Sequence, residues 1–215
     1  MPKPRALLFV RMDIPAEVEA DFNKWYNVEH IPWRLERVPG LLSARRYRAL
    51  EGSPKYAAVY DLANADVLQS REYAALREEE RARPTEIAQR VVPRFQNLAR
   101  SVYDEITPNP TVYRPPAEAK ILLAAMLVPR PDREEEFNAW YDTEHLPALR
   151  SVPGFLSARR FRASEGEPRY LALYDVTDAS VFDGQDFKTK RDSPWADRIR
   201  SQLQSRVRSV YERIS

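Results

Sequence analysis

The stretch VPGLLSARRYRALEGSPKYAAVYD (residues 38–61) returns as VPGFLSARRFRASEGEPRYLALYD (residues 152–175), and this repetition decides the expected fold. The two stretches are identical at 17 of 24 positions, which chance does not produce. The similarity extends upstream through FNKWYNVEHIP and FNAWYDTEHLP, and it ends with ARSVYDEI and VRSVYERI. Internal similarity at this spacing predicts two copies of one structural unit.

A proline-rich segment separates the two copies. The sequence TPNPTVYRPPAEAK carries four prolines and no apolar periodicity, as expected of a stiff, extended linker. We therefore predict a first repeat at residues 1–106, a linker at 107–118 and a second repeat at 119–215.

Each copy predicts the element order β-α-β-β-α-β. RALLFVRMDI and AKILLAAMLV are apolar runs of strand length, and each precedes a proline and the acidic start of a helix. We expect this helix to end near His30 or His145, because a proline two residues later disfavours helical geometry at the residue between. Further strand-like runs flank the segment 63–94, which is rich in helix formers.

This element order is that of the ferredoxin-like, or split βαβ, arrangement, a four-stranded antiparallel sheet with both helices on one face. The third strand carries apolar residues on both of its faces, with Tyr56, Ala58 and Tyr60 on one side and Ala57 and Val59 on the other. The open face therefore needs a cover, and the sheet of the other repeat is the natural one. We expect an α+β fold of two tandem ferredoxin-like repeats packed sheet to sheet.

Composition excludes several classes of function. The 34 Lys+Arg nearly balance the 32 Asp+Glu, so nucleic acid is not an expected partner. The absence of cysteine excludes disulfides and thiolate nucleophiles. The N-terminal apolar run is too short for a signal peptide or a membrane span. We expect a soluble, cytoplasmic protein with no membrane partner.

The segments NKWYNVEHIP, VPGLLSARRY and PKYAAVYDL, with their counterparts in the second half, resemble the dimeric α+β barrel superfamily and within it the EthD-type proteins. The resemblance covers most of both halves. It implies a fused pair, a pseudo-dimer within one chain, and it leaves a further homodimer open. The superfamily includes cofactor-independent oxygenases, cyclases, isomerases, decarboxylases and haem enzymes. The resemblance also implies a pocket between the sheet and the helices of each half, with a histidine from the first helix pointing into it.

The chain has only two histidines, His30 and His145, at matching places in a duplicated Trp-Tyr-x-x-Glu-His-x-Pro motif. A histidine at a helix end is often structural, since it interacts with the last carbonyls and the helix dipole. A near-neutral imidazole pKa also suits a general acid or base, so both interpretations stay open. Tyr26 and Tyr141 precede the histidines by four residues, on the same helix face. Such a pair could hold a phenol or enol.

Other aromatic and charged side chains at matching positions complete the candidate substrate site: Trp25, Trp140, Glu29, Glu144, Trp33, Arg46, Arg160, Tyr60 and Tyr174. Trp25 and Glu29 share one helix face, although the favoured interpretation of Phe22 and Trp25 is as core aromatics under the sheet. Arg45 and Arg46 point to opposite faces of a strand, so only one of them can line a given pocket. An inward arginine predicts an anionic substrate group, and an ion pair at the rim is the structural alternative.

The two copies differ beside their histidines. Trp33 in the first half is replaced by Ala148 in the second. The smaller side chain predicts more room near His145.

These patterns favour a cofactor-independent enzyme that acts on a small aromatic or polyketide-like metabolite. His30 or His145 would transfer a proton in a cyclisation, isomerisation, elimination or decarboxylation. The sequence contains no phosphate-binding loop, Rossmann fingerprint, nucleophile elbow or zinc motif, and one histidine per half argues against a multi-histidine metal site. We expect neither metal nor cofactor, although a single axial histidine to haem stays open. The alternatives are a non-catalytic binding protein for a hydrophobic metabolite and a haem- or oxygen-dependent monooxygenase.

Overall fold

The computed structural model describes residues 3–110 and 112–215, so residues 1–2 of the predicted first repeat and residue 111 of the predicted linker lie outside it. Within the described residues the strands form one closed antiparallel barrel. They are β1 (Ala6–Asp13), β2 (Leu41–Glu51), β3 (Tyr56–Leu62), β4 (Gln96–Glu105), β5 (Ile121–Pro129), β6 (Phe155–Glu165), β7 (Tyr170–Val176) and β8 (Leu203–Arg213). The predicted α+β class is confirmed.

The two halves pair their strands in the same way. The first half has the order β4-β1-β3-β2 and the second the order β8-β5-β7-β6. Even the register agrees, because Leu8 lies opposite Tyr60 and Leu123 lies opposite Tyr174. The halves join where β2 pairs with β8 and β4 pairs with β6. Each inner strand face is therefore covered by the other half.

The helices lie outside the barrel and begin and end at the following residues: α1 (Glu19–Trp25), α2 (Ile31–Arg37), α3 (Arg71–Ala82), α4 (Glu86–Val91), α5 (Glu134–Trp140), α6 (Leu146–Arg150), α7 (Gln185–Lys190) and α8 (Pro194–Ser201). Short 3₁₀ turns flank several of them. No helix in the described part of the chain has both the length and the apolar character that crossing a bilayer requires.

The prediction that the first helix of each half ends at its histidine is wrong. A π-helical turn, residues 26–30 or 141–145, connects α1 to α2 and α5 to α6 without a break. The backbone N–H of Ile31 donates to the carbonyl of Tyr26, five residues back, and Leu146 donates to Tyr141 in the same way. The wider π turn leaves space for the proline ring at the start of the next helix, where an α-helical turn would clash with it.

Three apolar cores follow from this arrangement. One fills the barrel with residues from both halves, such as Phe9, Tyr103 and Tyr211. The other two lie between the outer barrel face and the helices of each half. Phe22 and Trp25 belong to the outer core of the first half, which confirms the interpretation of them as core aromatics.

One end of the barrel holds a buried cluster of charges, which we call the barrel-end cluster: Arg45, Asp61, Arg159, Asp175 and Tyr113. Asp61 accepts a hydrogen bond from Arg159 at 2.7 Å and also pairs with Arg45. Tyr113, from the predicted linker, donates to Asp175 at 2.7 Å, and its ring centroid lies 3.3 Å from the Arg159 guanidinium carbon. The arginines and aspartates occupy matching positions in the two halves, but their pairing is not symmetric, because both arginines pair closely with Asp61 while Tyr113 donates to Asp175.

Candidate functional site

The π turn determines which residues surround His30. A π turn is wider than an α turn, so both the fourth and the fifth preceding residue lie beside the last one. The ring of His30 accordingly contacts Tyr26 and Trp25, with centroid distances of 4.8 and 4.2 Å. The second half repeats the arrangement, in which His145 stacks on Trp140 at 4.3 Å and meets Tyr141 at 5.2 Å.

His30 is a neutral, incompletely bonded imidazole. Its Nδ1 is buried without a hydrogen-bond partner among the described residues, and it lies 3.7 Å from Oε1 of Glu80. Arg34 holds that carboxylate with two hydrogen bonds of 2.7 Å. Burial, and then the charges of Arg34 and Arg46, hold the pKa of His30 well below 6.5. The expectation of a near-neutral imidazole pKa is therefore wrong.

A large cavity opens beside His30, between the α1–α2 stretch and the arm formed by α3 and α4. This His30 cavity has a volume of about 530 Å³, which is in the range of small-molecule sites. Its wall is largely apolar, with Trp25, Trp33, Val92 and Phe95, and its charged residues are Glu80, Arg81 and Arg83. The shape and lining suit a flat apolar molecule with one polar group.

A second cavity, of about 180 Å³, lies between the sheet and the helices of the first half, and His30 and Phe95 line it too. We call it the Tyr60 cavity. The hydroxyl of Tyr60 is buried in it without a partner among the described residues. Tyr26 instead directs its hydroxyl to the sulfur of Met12 at 3.7 Å, and burial raises the pKa of Tyr26 to about 12. The hydroxyls of Tyr26 and Tyr60 lie close enough to affect each other's pKa, so the two tyrosines together supply the hydroxyl groups near His30.

The glutamates beside the histidines have positioning contacts. Glu29 accepts a hydrogen bond from Thr85 at 2.7 Å, and Thr85 also caps α4. Glu144 accepts from the indole of Trp140 at 3.0 Å and also from Ser193. The glutamates fix the helical arms in place and do not line the histidine cavities.

Arg46 and Arg160 face the helices, as the strand alternation predicts, but neither lines a histidine cavity. Arg46 instead lines a separate cavity of about 170 Å³, so a role for these arginines in substrate binding stays a prediction. The π stretch packs over Arg46, whose guanidinium donates to the side chains of Asn27 and Asn23 at 2.9 and 2.7 Å. Arg160 forms an ion pair with Asp142, at the position of Asn27.

The cavity at His145 is smaller than the cavities at His30, about 60 Å³. The expectation that the second half is roomier is wrong, because Trp33 borders the His30 cavity rather than filling it. In the second half, Arg200 and Arg206 occupy the corresponding space. Burial, followed by Arg200 and Arg206, lowers the pKa of His145 to about 3. We call this space the His145 cavity, and its wall includes Trp140, Tyr141 and Tyr174.

Sequence reasoning missed Arg34 and Glu80. Arg34 has no counterpart, since Leu149 follows the second proline at the same distance. Glu80 lies in the helical segment where the two halves diverge most, so repetition gave no signal for it. Among the described residues, no cluster of three or more histidines and carboxylates could hold a metal ion.

Comparison with known proteins shows which solved structures have a similar fold. No protein-family model matches the sequence, and no curated protein matches it. A candidate monooxygenase from Fusobacterium nucleatum superposes with a TM-score of 0.68 at 9% identity, covering 100% of this chain and 94% of the other. An anthrone oxidase-like protein gives 0.64 at 13% identity, with 99% and 92% covered. Chlorite dismutase from Candidatus Nitrospira defluvii, in complex with imidazole, gives 0.62 at 8%, with 99% and 92% covered. The chain shares its fold with these proteins.

Proposed function

We propose that the chain is a cofactor-independent enzyme that binds a small aromatic or polyketide-like molecule in the His30 cavity and transfers a proton through His30. The observation that carries the proposal is the unpartnered, neutral imidazole of His30 on the wall of a large, mostly apolar cavity. Fold similarity at such low identity does not define a reaction, so the proposal depends on the site.

The protonation state of His30 fixes the direction of the first step. A neutral imidazole accepts a proton at its free nitrogen, whereas its remaining N–H is a very weak acid, so His30 acts first as a base. The O–H or C–H bond of the ligand breaks, the N–H bond of an imidazolium forms, and the ligand becomes a phenolate or enolate. The carboxylate of Glu80, 3.7 Å from Nδ1, stabilises the imidazolium.

The low pKa of His30 also selects the substrate class. A weak base removes only a comparatively acidic proton, because efficiency follows the pKa difference between donor and acceptor. Phenols, enols and the carbon between two carbonyl groups meet this requirement, and the last occurs in polyketide-like molecules. Return of the proton to another atom of the ligand gives an isomerisation or prepares a cyclisation.

The test uses 1-naphthol as an aromatic probe with an acidic hydroxyl, followed by tryptophan fluorescence. We expect His30→Ala to weaken binding by about tenfold, the loss of roughly one buried hydrogen bond. The matched variant His145→Ala should bind as the wild type does. Unchanged affinity in His30→Ala, or an equal loss in His145→Ala, contradicts the proposal.

A second ligand separates hydrogen bonding from packing. The ether 1-methoxynaphthalene has the same ring system but no proton to donate, so its binding should be insensitive to His30→Ala. Parallel losses for both ligands would assign His30 a packing role. A non-catalytic binding protein would bind 1-naphthol but would not accelerate hydrogen exchange at an acidic carbon of a 1,3-dicarbonyl ligand.

A haem- or oxygen-dependent monooxygenase is the second candidate, favoured by the same neutral imidazole. Neutral histidine is the form that binds iron, so His30 would hold the haem iron, and Trp33, Val92 and Phe95 would surround the porphyrin. Bound haem would supply redox chemistry with oxygen. Titration with hemin should then give a Soret band that His30→Ala abolishes and His145→Ala retains. No band in the wild type excludes this candidate.

The evolutionary origin of the two halves is part of the same proposal. We take the two halves to be tandem ferredoxin-like repeats of the EthD type. The matching registers of β1 with β3 and of β5 with β7 support a common origin. So does the π turn at the same place in both halves.

A further inference from the structure

The His145 cavity has more arginines on its wall than either cavity of the first half, where the His30 cavity has Arg81 and Arg83 beside Glu80 and the Tyr60 cavity has Arg34, Arg77 and Arg100. The wall of the His145 cavity carries the guanidinium groups of four arginines, Arg191, Arg200, Arg206 and Arg208, and no carboxylate. A concentration of one charge on the wall of a small enclosed space attracts the opposite charge.

The corresponding positions of the first half identify which arginines are particular to this cavity. Arg191 and Arg208 match arginines in the first half, whereas Arg200 and Arg206 stand where the first half has Val92 and Leu98. On β8, Arg206 lies opposite Leu127 of β5, so its side chain starts from the strand face that the helices cover. Two positions that carry apolar side chains in the first half therefore carry arginines in the second half.

Acidic neighbours, which include Glu51 as the ion-pair partner of Arg208, offset part of this charge but do not reach Arg206. Asp192 pairs with Arg200 at 2.6 Å and with Arg191 at 3.3 Å, but its side chain is 49% exposed, on the solvent side. Asp197, the other partner of Arg200, is 75% exposed. Arg206 has no ion-pair partner among the described residues, and loss of solvent, followed by the charge of Arg200, lowers its pKa. The inner wall stays positively charged.

We propose that the His145 cavity is a binding site for a small oxyanion, such as a carboxylate group or nitrate, held by Arg200 and Arg206 beside the imidazole of His145. A guanidinium binds a planar oxyanion through two parallel hydrogen bonds, and Arg206 is free to provide them. The volume of about 60 Å³ is roughly four times the smallest space that holds one water molecule. It admits formate or nitrate and excludes an aromatic ring.

The site is independent of the proposed function, since it uses no residue of the His30 cavity. It makes the two halves different receptors, one for an apolar ring and one for an anion. The neutral imidazole can donate one N–H to the anion, as can the hydroxyl of Tyr174, which has no partner among the described residues.

The test follows the two imidazoles by nuclear magnetic resonance, because each of the two histidines reports on its own cavity. Formate and nitrate are the probes, and ionic strength is kept constant with a sulfonate buffer too bulky for the cavity. We expect saturable shifts of the His145 signals alone. We also expect the pKa of His145 to rise by about one unit, because an adjacent anion favours the imidazolium.

The first half supplies the matched variants. Arg206→Leu and Arg200→Val introduce the residues found at the corresponding positions, and each should weaken binding by about tenfold through the loss of charge-assisted hydrogen bonds. Arg206→Lys keeps the charge without the planar fork and should bind with intermediate affinity. Circular dichroism confirms that each variant is folded. The proposal is overturned if the His145 signals do not saturate, if the His30 signals shift equally, or if the folded double variant binds as tightly as the wild type.

Discussion

Replacement of Asp61 by asparagine should reduce the free energy of unfolding by about 3–5 kcal/mol, the cost of removing one member of a buried ion pair. Asp61 neutralises two guanidiniums in the barrel-end cluster, those of Arg159 at 2.7 Å and of Arg45. Both arginine side chains are less than one-tenth exposed. Although burial acts to raise it, these two charges lower the pKa of Asp61, so the carboxylate is ionised. The amide leaves two buried cations to share Asp175.

The symmetry of the barrel provides the control. Asp175 occupies the matching position, but its nearest arginine, Arg45, is 3.9 Å away, and hydroxyl groups supply its closer contacts. Asp175→Asn should therefore destabilise the protein less than Asp61→Asn does. Urea denaturation followed by circular dichroism measures both. Equal losses, or a loss below about 1 kcal/mol for Asp61→Asn, would show that the ion pairs are not what this end of the barrel depends on.

Stability should also fall as the pH drops below 6.5, because both histidines are buried in the neutral form. The pKa of His145 falls from 6.5 in the unfolded chain to about 3 in the folded protein, and that of His30 is also well below 6.5. Between these values the unfolded chain binds protons that the folded protein does not, so stability is complete above pH 6.5 and decreases towards pH 3. The expected loss is about 1.4 kcal/mol per pH unit for each histidine.

The quantity to measure is the change in the free energy of unfolding per pH unit, rather than the free energy of unfolding at one pH. Urea denaturation from pH 7 to 5.5 stays about one unit or more above the usual pKa of carboxyl groups, so the histidines dominate the slope. His145→Gln removes one titrating group and should reduce the slope by about half. A slope that is flat in the wild type, or unchanged in this variant, would contradict a buried neutral imidazole at this position.

Sequence repetition sufficed for the strand order and for the outer face of each strand. The alternation separated Tyr56, Ala58 and Tyr60 from Ala57 and Val59, and the structure has the first three in the core under the helices and the other two inside the barrel. The alternation of Arg45 and Arg46 between strand faces is also observed. These features depend on local periodicity, which the sequence displays directly.

Features that depend on distant partners could not be predicted. The proline at position 32 indicated a helix end, whereas packing over Trp25 and Tyr26 maintains the helix through a π turn. Glu80 reaches His30 from a segment with no clear counterpart in the other half. Tyr113 comes from a segment interpreted only as a linker, yet it enters the barrel-end cluster. Burial, which lowers the pKa of both histidines, is likewise a property of the fold.

The central claim is that His30 alone faces the cavity for an aromatic ligand, and a titration of the wild-type protein with 1-naphthol tests it most directly. The side-chain resonances of the two histidines report the two cavities separately in one experiment. We expect the His30 signals to shift to saturation with one ligand bound per chain, while the His145 signals stay unchanged. Saturable binding that shifts only the His145 signals, or leaves both imidazoles unaffected, would contradict the claim.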